Sequence, residues 1–466
     1  MTTRYYIGIL LVCLAAHQAQ ADAEQEGNGV NQEITTGSPP AEATEAQRTQ
    51  VAEEEDYDNE SEADKGYVFG YRNGYIHAAL GLGGEWTDNL YNDDSYKKEN
   101  FLTQISPSVW LTLPRRSKKP IHLVSDNTAI GGFQYSPPDT DVYTKLQAYL
   151  AGTIDFKTYT EDSDLNHADG DFEAMLQYRP REKITFQLLD KYNHSRDIFN
   201  IAEATKENNR VYDSNVFGAG AVWYSKDKFS VKAAYRNFFL EYDEAINDWM
   251  NRSDNGFDCA LYYEYSEKTN FFLQYQYLFA EYDKKKMPDN DNNFLAVGIN
   301  WLATVKTNLM AKVGYQKVDY DEVGPDSRFD EKVFDDSDST FYFESQGIWR
   351  PTAKNQLLLN AKYSIEQSDT DQALNKSVFA ARFAFGHRFT DRLRGDVNLV
   401  YEDSDYAQFN GDIRNDNRWY FRPEIQFAVK KWLFLNGYYS YDGKDSNYDR
   451  LDYATNTLGI GLRGSF

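Results

Sequence analysis

The chain ends Asn456-Thr457-Leu458-Gly459-Ile460-Gly461-Leu462-Arg463-Gly464-Ser465-Phe466, and the reading of that stretch decides the fold. In an extended strand successive side chains point to opposite faces, so residues two apart share a face. Leu458, Ile460, Leu462 and the terminal Phe466 make one greasy face, while Thr457, Gly459, Gly461, Arg463 and Ser465 make a small or polar one. A closing strand with one dry side, one wet side and a terminal aromatic carboxylate is built to separate hydrocarbon from water.

The same alternation recurs upstream. Leu357, Leu359, Ala361, Tyr363 and Ile365 oppose Asn360, Lys362 and Ser364, and Leu393, Val397, Leu399 and Tyr401 oppose Arg394, Asp396, Asn398 and Glu402. Short polar turns are expected at residues 179–183, 226–228, 267–269, 304–307, 351–354, 390–391 and 430–431, with long acidic loops such as 319–338 between the hairpins. Counting runs gives about 18 strands. They begin near Tyr75, Phe101, Leu146, Asp171, Ile184, Asn215, Phe229, Phe257, Phe271, Phe294, Leu309, Phe341, Gln356, Val378, Leu393, Trp419, Trp432 and Thr455. An even count brings both termini to one rim. The predicted fold is therefore all-β: a transmembrane antiparallel outer-membrane β-barrel with a disordered N-terminal tail. Closure leaves no unpaired edge for lipid to meet. A soluble sandwich would hide its Phe and Leu between two sheets, and a propeller would repeat a blade motif that is absent here.

Composition agrees. No stretch reaches the roughly 18 consecutive apolar residues of a membrane helix. The 36 Tyr, 29 Phe and 8 Trp suit the two membrane–water interfaces, where a ring can be dry at one end and wet at the other. Arg4, the apolar residues 5–16 and Ala19-Gln20-Ala21 read as a signal peptide, residues 1–21, cleaved before Asp22. Val12 is too bulky for Cys13 to be a lipid-attachment site. After cleavage Cys259 is the one remaining cysteine, so no intramolecular disulfide can form.

Residues 22–66 carry nearly half of the formal net charge of −24 and almost no large apolar side chain. They cannot bury enough surface to offset ordering, and are predicted to be a disordered periplasmic linker. The barrel is assigned to residues 67–466. Within it residues 114–144 do not alternate, and are predicted to be either a long periplasmic connection or an insert folded into the lumen. The latter is the preferred reading.

At this strand number side chains alone do not fill the interior, and a wide aqueous channel is expected. Alternation places Lys232, Arg236, Lys312, Lys362, Arg382, Arg394, Arg422 and Arg463 inward, together with Asp258, Glu264, Glu344, Asp396, Glu402 and Glu424. This wall is mixed with a basic excess, which would guide an anionic or neutral hydrophilic polymer. The plainer alternative is that these charges pair with one another and hold register. Leu458, Ile460, Leu462 and Phe466 are the expected signal to the barrel-assembly machinery. Acidic loops suit lipopolysaccharide phosphates bridged by divalent ions; Asp289-Asn290-Asp291-Asn292 lacks the Gly and distal Glu of an EF-hand.

No enzyme, metal site or cofactor is expected. The six His show no HExxH spacing, and there is no G-x-S-x-G elbow. Residues 22–74 are too short and polar for the plug of a TonB-dependent transporter, and no nucleic-acid partner is expected.

From residue 75 to the end, the layout resembles the putative beta-barrel porin 2 family. The resemblance is carried by residues 81–94 (GLGGEWTDNLYNDD), especially Thr87-Asp88-Asn89, and by Phe466. Gly464 departs from it, since a larger apolar residue is common two places before the end. The resemblance implies an 18-stranded barrel in the outer membrane of a Gram-negative bacterium, associated with export of capsular or extracellular polysaccharide and with periplasmic export components. The alternatives are a passive porin for small hydrophilic solutes, or a structural or adhesive barrel with acidic loops.

Overall fold

A computed structural model describes residues 73–116, 123–133, 145–181, 183–197, 210–225, 228–284, 286–321, 336–370, 372–408 and 413–466. The predicted leader, the predicted linker and parts of the insert (117–122 and 134–144) lie outside the described residues.

The described chain is one closed 18-stranded antiparallel sheet. The strands are β1 Gly74–Thr87, β2 Asn100–Arg116, β3 Leu146–Tyr159, β4 His167–Arg181, β5 Ile184–Asp197 and β6 Arg210–Tyr224. Next come β7 Phe229–Tyr242, β8 Arg252–Ser266, β9 Thr269–Tyr282, β10 Asn290–Thr304, β11 Thr307–Tyr320 and β12 Ser337–Thr352. The last six are β13 Asn355–Gln367, β14 Ala373–Arg388, β15 Leu393–Gln408, β16 Ile413–Lys430, β17 Leu433–Ser446 and β18 Tyr453–Ser465. Each strand pairs with its sequence neighbour, and β1 pairs with β18 from Ala79↔Ser465 to Thr87↔Thr457. The seam is pinned at both rims. At one end the Phe466 N–H donates to Ala78 O at 2.8 Å and its ring stacks on Trp432. At the other, Asn456 donates twice to the Asp88 carboxylate, at 2.7 Å each, from its backbone N–H and its Nδ2.

The alternation read from the sequence sorts the two faces. Ile460 and Phe466 are each 61% exposed on the outer face, and Leu458 is 53% exposed, whereas Lys312 and Glu344 inside are 3% and 1% exposed. Leu357, Leu359, Val397 and Leu399 share the outer face, and none of them is buried. The outer band is edged by aromatics. Trp223, Trp301, Trp349 and Trp432 lie near the short-turn rim. Towards the loop rim a pairing repeats across strands: Tyr235, Tyr275, Tyr401 and Tyr439 donate their hydroxyls to Asn255, Asn293, Asn417 and Asn456 at 2.6 to 2.8 Å. An outward ring with its hydroxyl tied to an outward amide marks where hydrocarbon gives way to water.

Inside, the barrel is partly filled from both rims. Residues 123–133, part of the β2–β3 connection at the short-turn rim, lie against the inner wall. The Leu123 N–H donates to Glu173 at 2.9 Å, the Gly131 N–H donates to Asp254 at 2.9 Å, and Asn193 Nδ2 donates to Ser125 Oγ at 2.6 Å. Arg252 Nη2 donates to Asn127 O at 2.8 Å. The segment folds on itself around Asp126, whose carboxylate accepts from Thr128 N–H and hydroxyl at 2.8 Å each. Gly131 and Gly132 take φ of +74° and +79°. A side chain on Gly132 would run into Phe238 and Val216, so only glycine permits this approach.

From the loop rim, the β13–β14 hairpin leans inward. β12 follows β11 to Asp319↔Ser337, but pairs with β13 only as far as Phe343↔Tyr363. Beyond that point β13 bonds to the inner side chain of Gln316, which donates to Ile365 O and accepts from Ile365 N–H, both at 2.9 Å. The two intruding elements meet: the Gln367 N–H donates to Thr128 O at 2.9 Å, and Thr128 Oγ1 bonds Glu366 at 3.2 Å. An apolar cluster of Leu123, Phe133, Met175, Val216, Phe238 and Leu240 packs the insert to one side of the lumen.

Candidate functional site

The charged inner wall is the candidate site, and hydrogen-bond register decides which of its charges are available. Lys312 on β11 stands opposite Glu344 on β12 and pairs with it at 2.8 Å. Tyr342 and Gln346 also donate to Glu344, at 2.6 and 3.1 Å. Lys362 pairs with Glu366 at 3.1 Å, Arg394 with Asp396 at 2.7 Å and Arg422 with Glu424 at 3.3 Å. Arg463 lies over the Trp110 ring at 5.0 Å, Glu402 accepts from Ser404 at 3.2 Å, and Glu264 sits near the short-turn rim. Four of the eight cations read from the sequence are therefore neutralised by a carboxylate within the wall. Residues that alternation did not single out do the same work: Arg252 with Asp254 at 3.0 Å, Lys191 with Asp171 at 2.5 Å, and Arg418 with Asp442 at 2.7 Å.

Two predicted cations differ. Among the described residues, neither Arg236 nor Arg382 has a carboxylate within ion-pair distance. Arg382 Nε donates to Asn398 Oδ1 at 2.9 Å on the half of the wall away from the insert. Arg236 lies against the insert, its guanidinium 5.3 Å from the centre of the Phe133 ring. It opens into a cavity between Phe133 and the inner wall of β5 to β9, also lined by Lys232, Asp258, Gln274 and Gln276. Gln274 and Gln276 both donate to Asp258.

The other half of the lumen, along β14 to β18 and β1, is lined by Arg382, Asn398, Arg422, Tyr438 and Glu85. Arg422 stacks on Tyr438 at 3.8 Å, and the Tyr438 hydroxyl donates to Glu85. Gly81, Gly83, Gly459 and Gly461 share the inner face of the seam, and the absence of a side chain at Gly459 and Gly461 makes room for Tyr438 and Asn436. At the hairpin tip, burial alone would push the Asp369 carboxyl up. Lys376 at 3.2 Å and the Tyr406 hydroxyl at 2.9 Å, with Arg210 and Arg414 nearby, hold it below the ordinary carboxylate value. Among the described residues no group of three or more His, Cys, Asp or Glu is placed to hold a metal ion.

The features that sequence reading missed had a signal. Phe238 and Leu240 flank the outward Phe239, so both faces of β7 are apolar there; alternation fails where the insert makes the inner wall dry as well.

Comparison with curated proteins gives no match. Among solved structures, Pseudomonas aeruginosa OccK2 (OpdF) in complex with glucuronate aligns with a TM-score of 0.42 at 10% identity, covering 84% of this chain and 100% of that one. Pseudomonas aeruginosa OccK11 (OpdR) aligns at 0.41 with 11% identity over 86% and 100%. Acinetobacter baumannii OccAB4 aligns at 0.41 with 10% identity over 85% and 100%. The family profile described as putative beta-barrel porin 2 matches residues 143–466. That match runs from just before β3 through the terminal Phe466, and with it this closed, charge-lined barrel belongs to the putative beta-barrel porin 2 family of outer-membrane channels.

Proposed function

We propose that the barrel is a channel for small hydrophilic solutes in the outer membrane of a Gram-negative bacterium, with its short turns in the periplasm and its long loops outside. One observation carries this reading: elements from opposite rims meet inside the lumen, where the Gln367 N–H bonds Thr128 O at 2.9 Å. A bore narrowed in this way passes small molecules along the half lined by Arg382, Arg422 and Tyr438. The narrowing favours small solutes over an extended polysaccharide, the cargo implied by the family resemblance.

In the same reading the outward Leu458, Ile460, Leu462 and Phe466 engage the assembly machinery. The acidic loops face lipopolysaccharide through bridging divalent ions. Docking to periplasmic export components belongs to the export alternative. The test is swelling of liposomes carrying the purified protein in isotonic sugars. Glucose and sucrose are expected to enter, and a dextran of tens of glucose units to be excluded. Entry of the dextran at a rate near that of sucrose would replace this reading with polymer export.

A further inference from the structure

Among the described residues, Arg236 has no carboxylate within ion-pair distance. It sits in the middle of β7, beneath the roof made by Gly131 and Phe133, where a side chain added to Gly131 would approach its Nη1 to 3.2 Å. Lys312, Lys191 and Arg252 on the same wall each hold a carboxylate directly, whereas the planar fork of Arg236 faces the Phe133 ring at 5.3 Å, with Asp258 the strongest of the acidic groups around it. A guanidinium held this way favours a carboxylate that can accept two parallel bonds, and the ring face keeps it oriented.

The rest of the cavity narrows the choice. On β8 Asp258 stands opposite Ala234, one inner-face position from Arg236. Its carboxylate is a second acceptor surface, steadied by the Gln274 and Gln276 amides, whose own oxygens are further acceptors. Acceptors at that place suit hydroxyl donors. Asp258 also opposes a second negative charge on the ligand, which excludes dianions. Ala234, between Lys232 and Arg236 on the inner face, carries only a methyl group into the space between them.

We propose that this cavity is a binding station for a small hydroxylated monocarboxylate of the sugar-acid class. Arg236 takes the carboxylate, and Asp258 with the two glutamines takes the hydroxyls. The inference rests on the small-solute channel reading and names the class of solute.

The test uses the full-length protein in detergent, titrated calorimetrically with sodium gluconate, and the same protein in a planar bilayer carrying KCl current. Gluconate is expected to bind, to outcompete glucose and tartrate, and to reduce the current in a saturable way. Arg236→Gln is expected to weaken gluconate binding at least tenfold, with Arg236→Lys intermediate because an ammonium cannot fork. Should Arg236→Gln fail to fold, Ala234→Met fills the space beside Arg236 from the same strand and is expected to abolish gluconate binding. Gluconate binding no tighter than glucose, or undiminished in both folded variants, would overturn the station while KCl current leaves the channel standing. Gluconate binding without any KCl current would sink the channel reading and keep the station.

Discussion

A charge on the inner wall acts on a solute only if the wall leaves it unsatisfied, and that distinction is invisible to alternation. Alternation says which face a side chain takes, and for Lys312, Lys362, Arg382, Arg394 and Arg422 it gave the inner one. Whether Lys312 finds Glu344 depends on the register of β11 against β12, a long-range property with no local signature. The two kinds of cation should respond differently to the same substitution. Lys312→Gln strands Glu344, which is 1% exposed, and breaking a buried pair from one side costs about 3–5 kcal/mol. Arg382→Gln removes an exposed charge bonded to an amide, with little effect on stability. The expectation is that Lys312→Gln lowers the temperature at which the barrel loses its compact migration on SDS gels. Arg382→Gln leaves that temperature in place and shifts the reversal potential in a KCl gradient towards cations. A reversal potential that moves equally for both would mean that pairing does not set availability.

Elements were legible where lipid imposes its rule and illegible where it does not. Strands running down from the long-loop rim start earlier than their apolar pattern: β4 at His167 rather than Asp171, β6 at Arg210 rather than Asn215, β8 at Arg252 rather than Phe257, and β16 at Ile413 rather than Trp419. The upper ends stand in water, so their outward positions can be polar while the backbone ladder continues. The insert was visible only as a failure of alternation, because its fold is set by contacts with distant strands. Bonds at Leu123, Ser125, Asn127 and Gly131 hold it to the wall, and its closest approach is at Gly131-Gly132. In Gly132→Val, the new side chain would strike Phe238 and Val216 at a φ of +79°, a strain of about 1–3 kcal/mol before any clash is counted. The segment should lift from the wall and widen the path, raising single-channel conductance in KCl while the gel mobility of the folded barrel is unchanged. Conductance equal to that of the natural chain would place the narrowing elsewhere, at the β13–β14 hairpin.

At the scale of the molecule, closure ties the two ends of the barrel sequence together, and the stretches that carried the family resemblance are the ones at the seam. Asp88 and Asn89, in the first loop, bind the far end of the chain: Asp88 accepts from Asn456, and Asn89 Nδ2 donates to Ala454 O at 3.3 Å. Phe466 closes the opposite rim, with its N–H on Ala78 O and its ring stacked on Trp432 at 5.9 Å. A terminal strand can be legible alone because its face towards lipid is fixed before any partner is known. Its partner β1, more than three hundred residues away, is fixed only by the completed cylinder. Since Phe466 is 61% exposed on the outer surface, removing it deletes little buried contact from the finished barrel. Its loss should therefore act on assembly more than on stability. A chain ending at Ser465 is expected to yield less heat-modifiable barrel in the outer membrane, with unassembled chain accumulating in the periplasm. The fraction that does fold should unfold at nearly the temperature of the natural protein. A normal yield with a sharply lower unfolding temperature would instead make Phe466 a structural clasp on Ala78 and Trp432 rather than a signal read during insertion.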